Sequence, residues 1–220
     1  IESELSTINE IGLYSGLLAD ADGLVITSNL GVSLDSEKMA AYSTTICQAI
    51  QRLLEESGIE PATSIHLEGK IGRLKIFPGK GLYLVAHEEK KSGELDEEGP
   101  GLPGETSLRE AIMKKVMDDL TKTEGIMGNL IAGSDGLVIE SNLPEDVDPD
   151  GLGYLSSQAF FENSRFLDRL DLGPIRQILI KSGRYTYNLI PIESEAIFTT
   201  CLDPSVPREV WQSKLPQAAQ

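Results

Sequence analysis

The sequence predicts an α+β chain built from two copies of one unit, and three observations carry that expectation. The nine residues from Asp22 to Leu30, DGLVITSNL, return as DGLVIESNL from Asp135 to Leu143, identical at eight of nine positions with a shift of 113 residues. The same shift sets Gly12 on Gly125, Leu54 on Leu167, Ile65 on Ile178 and Leu84 on Ile197. A match sustained over that distance is a duplication. Within each copy the apolar period changes in the same order: helical, alternating, helical again, then three short runs of strand character.

Each copy opens on a helical stripe. Ile1, Leu5 and Ile8 mark the first, ending near Gly12, where glycine takes up the left-handed cap. The capping box Ser107-Leu108-Arg109-Glu110 begins the second, with Leu108, Ile112, Val116 and Leu120 leading to Gly125. Asp22-Gly23 and Asp135-Gly136, each between apolar runs, signal tight hairpins. Consecutive apolar residues, LVI at 24–26 and at 137–139, predict strands covered on both faces.

A long helix follows in each copy. One starts near Asp35 and carries Met39, Tyr42, Ile46, Ile50, Leu53 and Leu54; the other starts near Asp150 and carries Leu152, Leu155, Ala159, Phe166 and Leu167. Strands at 63–69, 72–77 and 82–87 close the first copy, and strands at 175–181, 184–190 and 195–201 close the second. Turn residues break them at Gly69-Lys70, at Pro78 to Gly81 and at Ser182-Gly183. The expected boundaries are a first domain at 1–88, an acidic flexible linker at 89–105, a second domain at 106–203 and a tail at 204–220. In the tail, Val210, Trp211 and Leu215 suit a short final helix.

Charge narrows the function. Residues 1–104 hold 17 acids and 8 bases, and residues 105–220 hold 18 and 11, for a net charge of -16. Such a field repels phosphate backbones and anionic bilayers, which disfavours nucleic acid and membrane surfaces as partners. No apolar run approaches the roughly 18 residues of a membrane span. The start at Ile1 lacks signal-peptide character and points to a trimmed chain. Two cysteines at non-equivalent places, Cys47 and Cys201, suit a reducing, cytoplasmic compartment.

No constellation for catalysis, cofactor or metal is found. Gly79-Lys80-Gly81 lacks the first glycine and the hydroxyl of a phosphate-binding loop, and the dinucleotide glycine pattern is missing. His66 and His87 read as polar strand positions without a neighbouring ligand at metal spacing. Cys47 reads as a small hydrophobe on an apolar helix. Asp20, Asp22 and Asp135 read as turn residues rather than calcium ligands. Arg73 and Arg184, early in the expected fourth strands, have the chemistry of an arginine finger but read as solvated charges.

The segments ADADGLVITSN and IAGSDGLVIESN, the element order, and the closing run IHLEGKIGRLKIFPGKGLYLVAH resemble the Roadblock family of dynein light chains and bacterial motility-GTPase regulators. The resemblance implies two profilin-like Roadblock domains, each a five-stranded antiparallel sheet with the long helix on one face and the opening helix on the other. It also implies pairing through the first of the last three strands, here Ile65 and Leu67 with Ile178 and Ile180. Two copies in one chain then form a pseudo-dimer, with homo-oligomerisation the open alternative. It further implies a non-enzymatic scaffold or regulator for a small Ras-like GTPase, with partner-facing residues Gln48, Gln51 and Arg52 on one long helix and Phe161, Glu162 and Arg165 on the other. Two other readings stay open: a small-molecule sensor with a pocket near Tyr42, Ile46 and Leu84, and a purely structural assembly module.

Overall fold

The computed structural model describes residues 15–31, 34–70, 72–89, 115, 117–192, 195–212 and 215. The expected opening stripe at 1–12, the capping box at 107–110 and the linker from residue 90 onward lie outside them. The described residues form strands β1 (Ser15–Asp20), β2 (Val25–Ser28), β3 (Ser64–Gly69), β4 (Gly72–Pro78) and β5 (Leu82–Glu89), then β6 (Ile126–Gly133), β7 (Val138–Asn142), β8 (Ile175–Lys181), β9 (Thr186–Ile192) and β10 (Ala196–Leu202). Helices α1 (Ser36–Glu56) and α2 (Pro149–Arg169) stand at equivalent places in the two copies, and a short α3 (Arg208–Gln212) follows β10. Each copy is a five-stranded antiparallel sheet.

The two sheets are one. Strand order runs β2-β1-β5-β4-β3-β8-β9-β10-β6-β7, so β3 and β8 form the seam. They pair antiparallel, with Ile65 opposite Ile180, His66 opposite Leu179 and Leu67 opposite Ile178. Side chains alternate across a strand. Ile65, Leu67, Ile178 and Ile180 therefore share the face beneath the helices, and all four are fully buried. Beside the seam, the backbone N–H of Thr63 donates to the Lys181 carbonyl at 2.6 Å.

Each hairpin is a four-residue turn rather than the two-residue turn that Asp-Gly suggests. In the first, the Asp20 carboxylate accepts from the N–H groups of Asp22 and Leu24, both at 2.9 Å. Gly23, at φ 79°, donates to the Asp20 carbonyl at 3.1 Å. In the second copy Gly133 stands where Asp20 does, and Asp135 closes the turn by accepting from Leu137 at 3.0 Å. A carboxylate that satisfies the turn's own N–H groups makes the longer loop stable. Both glycines also abut a long helix: a Cβ on Gly23 would sit 3.1 Å from the Ala41 Cα, and one on Gly136 would sit 3.2 Å from the Tyr154 Cα.

The long helices begin where short acidic residues cap them. Asp35 accepts from the Lys38 N–H at 3.0 Å. In the second copy Asp148, rather than Asp150, caps by accepting from Gly151 at 2.9 Å, because Pro149 already fits the first helical turn. Both helices lay their apolar stripes on the same face of the sheet, giving one continuous core. On the opposite face of the second copy, Met117, Leu120, Ile126, Phe198 and Leu202 pack with Trp211 of α3 and Leu215.

Three expectations are corrected. Strand β9 starts at Thr186 rather than 184, because Ser182 and Tyr185 exchange hydrogen bonds in the turn before it. Glu89, placed in the linker by composition, ends β5 opposite Gly72. The outer strands β2 and β7 are not covered on both faces: Leu24 is 65% and Leu137 69% exposed, and Ile26 and Ile139 are exposed too. Only the alternate residues Val25 and Val138 reach the core. Nothing in the structure explains why both copies keep leucine and isoleucine at these outward positions.

Because Leu67 and Ile178 face each other in fully buried positions at the seam, Leu67→Ala and Ile178→Ala are each expected to cost about 2–5 kcal/mol. Sharing one cavity, the double variant should lose less than the sum of the two. Urea denaturation of the four proteins checks this. A loss below roughly 1 kcal/mol for either single variant would show a seam looser than the packing indicates.

Candidate partner-docking surface

Helices α1 and α2 run antiparallel over the seam. At one end the Ser57 hydroxyl, just past α1, donates to the Gly151 carbonyl in the first turn of α2 at 3.0 Å. Toward the other end the rings of Tyr42 and Phe166 meet with centroids 5.5 Å apart. Such tilted aromatic contacts add to the burial that holds helices together.

Between these contacts an open groove of ≈ 660 Å³ faces outward, lined by Thr45, Gln48, Ala49 and Arg52 of α1 and by Glu162, Arg165, Phe166 and Arg169 of α2. Of the six residues expected to face a partner, Gln48, Arg52, Glu162 and Arg165 come together here. Gln48 is also tied down, since its Nε2 donates to the Ala21 carbonyl at 2.9 Å. Gln51 lies on the flank of α1, where it holds the approach to β3. Its Oε1 accepts from the Ala62 N–H at 3.0 Å and its Nε2 donates to the Ala62 carbonyl at 2.9 Å. Phe161 is exposed and stacks edge-on against Phe160 at 5.8 Å, away from the groove.

Tyr42, Phe166 and Arg169 were not among the expected docking residues. The first two sit in the apolar stripes and pack against the core, and Phe166 also lines the groove. Arg169 is the last residue of α2, a position where a cation complements the helix dipole. Its guanidinium carbon lies 5.9 Å from the Tyr42 ring centroid, within cation–π range. Arg52 lies 3.9 Å from Glu56 one turn on, with both side chains more than half exposed; such pairs contribute little.

The remaining chemistry-bearing residues fall elsewhere. Tyr42, Ile46 and Leu84 do not share a pocket, because Ile46 is wholly in the core and Leu84 lies on β5 between Tyr83 and Val85, the two residues that face that core. Cys47 and Cys201 are buried, and burial pushes both thiols up to about 12, so they stay protonated and unreactive. His87 is interior to β5 rather than at its end, and buried. Arg73 pairs with Glu68 at 3.3 Å and Glu88 at 3.9 Å. Arg184 lies in the turn before β9 rather than in the strand and pairs with Asp146. Among the described residues no group of three or more His, Cys, Asp or Glu could hold a metal ion, and no helix is long and apolar enough to cross a membrane.

The Roadblock/LC7 domain model matches residues 112–201, the greater part of the second copy. An uncharacterised protein of Methanocaldococcus jannaschii is 32% identical over 109 residues, covering 50% of this chain and 95% of that protein. A second from the same organism is 35% identical over 95 residues, covering 43% and 82%. Among solved structures, the gliding protein mglB from Thermus thermophilus is 14% identical, covers 56% of this chain and 93% of its own, and superposes with a TM-score of 0.48. A Roadblock/LC7 domain from Streptomyces avermitilis is 15% identical, covers 48% and 89%, and superposes with a TM-score of 0.44.

His66, on the seam strand β3, yields a pH dependence. Burial lowers its pKa from 6.5 to about 4, helped by the positive charges of Lys181, Lys75 and Arg208; Glu68 and Arg73 line the same small cavity. The folded protein keeps His66 neutral where the unfolded chain protonates it. The stability this contributes is present above about pH 6.5, declines as pH falls and is gone below about pH 4, a change of at most roughly 3 kcal/mol. Urea unfolding across this range should show the decline, and His66→Gln should flatten it. An equal slope in the variant would assign the loss to other groups.

Proposed function

The chain belongs to the Roadblock/LC7 domain family, and on that premise we propose that it is a non-enzymatic platform whose paired long helices receive a small Ras-like GTPase. The observation that carries this reading is the juxtaposition of α1 and α2 over the β3–β8 seam. A family resemblance implies a partner surface on these helices, and here one chain supplies both. The groove between them has the composition of a protein-docking surface. Phe166 is bordered there by Arg52, Arg165, Arg169 and Gln48, and aromatic residues and arginine are the types enriched where binding energy concentrates.

No nucleotide-binding loop occurs in this chain, so a nucleotide enters with the partner. In this reading the chain acts by differential binding of the partner's conformations. It shifts turnover only as far as it prefers one nucleotide state over another.

A photo-crosslinking residue at Thr45, which lines the groove, tests this against one at Lys80 in the β4–β5 turn, which does not line it. From native lysate the Thr45 probe should capture a protein carrying the sequence G-x-x-x-x-G-K-[ST], and the Lys80 probe should not. The double change Arg52→Glu and Arg165→Glu should weaken that complex by about tenfold or more. Capture at Thr45 only of proteins without a nucleotide-binding loop would reject the GTPase reading.

A further inference from the structure

Position by position, the two copies differ most consequentially at the ends of the long helices. Arg52 and Arg165 are equivalent under the shift of 113 residues, and so are Glu56 and Arg169. In α1 the arginine faces a glutamate one turn on. In α2 the same spacing joins two arginines, and like charges four apart on a helix oppose folding. Arg169 has a structural role, since it ends the helix and stacks on Tyr42. Arg165 has none of that kind: it is exposed and, among the described residues, makes no ion pair. The lining of the groove thus carries three arginines against the single carboxylate of Glu162, on a chain whose net charge is -16.

We infer that the α2 end of the groove, centred on Arg165 and Arg169 beside the Phe166 ring, binds an acidic protein segment that presents an aromatic side chain. This deepens the proposed platform reading by giving the partner's surface its chemistry. Charge complementarity carries it. The guanidinium pair takes carboxylates, and Phe166 takes the ring. The carboxylates elsewhere on the chain do not forbid the approach. Beyond a Debye length of about 8–10 Å their repulsion is screened, whereas the arginines act at contact. Because Arg52 is opposed by Glu56, the other end of the groove lacks this charge. The segment therefore docks off the pseudo-symmetry axis, one per chain and in one direction.

The probe is a fluorescein-labelled peptide of eight glutamates and one tryptophan, with an eight-lysine counterpart, followed by anisotropy on the full chain. The glutamate peptide should bind with a stoichiometry of one. Binding should weaken about tenfold in the double variant Arg165→Gln/Arg169→Gln, change less than about threefold in Arg52→Gln, and fall as salt rises. Thermal melts of both variants verify that the fold is intact. Equal weakening by Arg52→Gln, indifference to the double variant, or a preference for the lysine peptide would each overturn the inference. So would binding to phosphatidylserine vesicles with none to the peptide. Because no GTPase takes part, this outcome is separate from the crosslinking result: a GTPase can be captured although the acidic peptide fails, and the reverse.

Discussion

The antiparallel pairing of β3 with β8 is the constraint on which the rest of the molecule depends. A five-stranded sheet has two edges, and an exposed edge is a liability because its unpaired backbone groups can template association. Joining the inner edges of two such sheets removes both of them and leaves only β2 and β7 at the outside. The seam also brings Ile65, Leu67, Ile178 and Ile180 into one buried stripe, and a stripe of that kind needs a cover. Helices α1 and α2 provide it by packing against each other, which is why a groove exists between them. Groove and core are therefore consequences of one backbone ladder.

Covalent duplication changes the energetics of that ladder. Two separate domains would meet at their bulk concentration, whereas two in one chain meet at an effective concentration of order millimolar for a flexible connection of suitable length. The seam need not be strong enough to hold free subunits together. It can accept a fully buried pairing with bulges, such as the register shift between Glu68 and Gly69. It can also accept a neutral histidine beside Lys75, Lys181 and Arg208, which isolated subunits would find harder to sustain at low concentration.

Much of this was legible in the sequence. The repeat, the helical stripes and the turn residues gave the elements within a few residues, since they depend on local chemistry and on period. The errors have the same origin in each case: a fact set by tertiary geometry. Runs of apolar residues at 24–26 and 137–139 look doubly buried, and only their place at the outer edges exposes Leu24, Ile26, Leu137 and Ile139. Nor does the sequence show that the Gln51 amide bridges both backbone groups of Ala62. A polar side chain at an exposed helical position gives no sign, in sequence, of whether it reaches outward or folds back onto its own chain.

Duplication also frees the helix face from symmetry. In a homodimer every change at a groove position appears twice, so a favourable contact on one side imposes its copy on the other. Here Glu56 and Arg169 occupy equivalent places with opposite charge, as Gln48 and Phe161 do with opposite polarity. In the interior, Leu17 and Ile65 keep apolar partners, Leu130 and Ile178, under the shift of 113 residues, since volume and packing penalise departures on either side of the seam. Divergence is therefore cheap on the outer surface of the helices and costly beneath it. The outcome is a pseudo-two-fold sheet and core beneath a helix surface that is not two-fold, because packing constrains both copies alike while an exposed position is free to change in one.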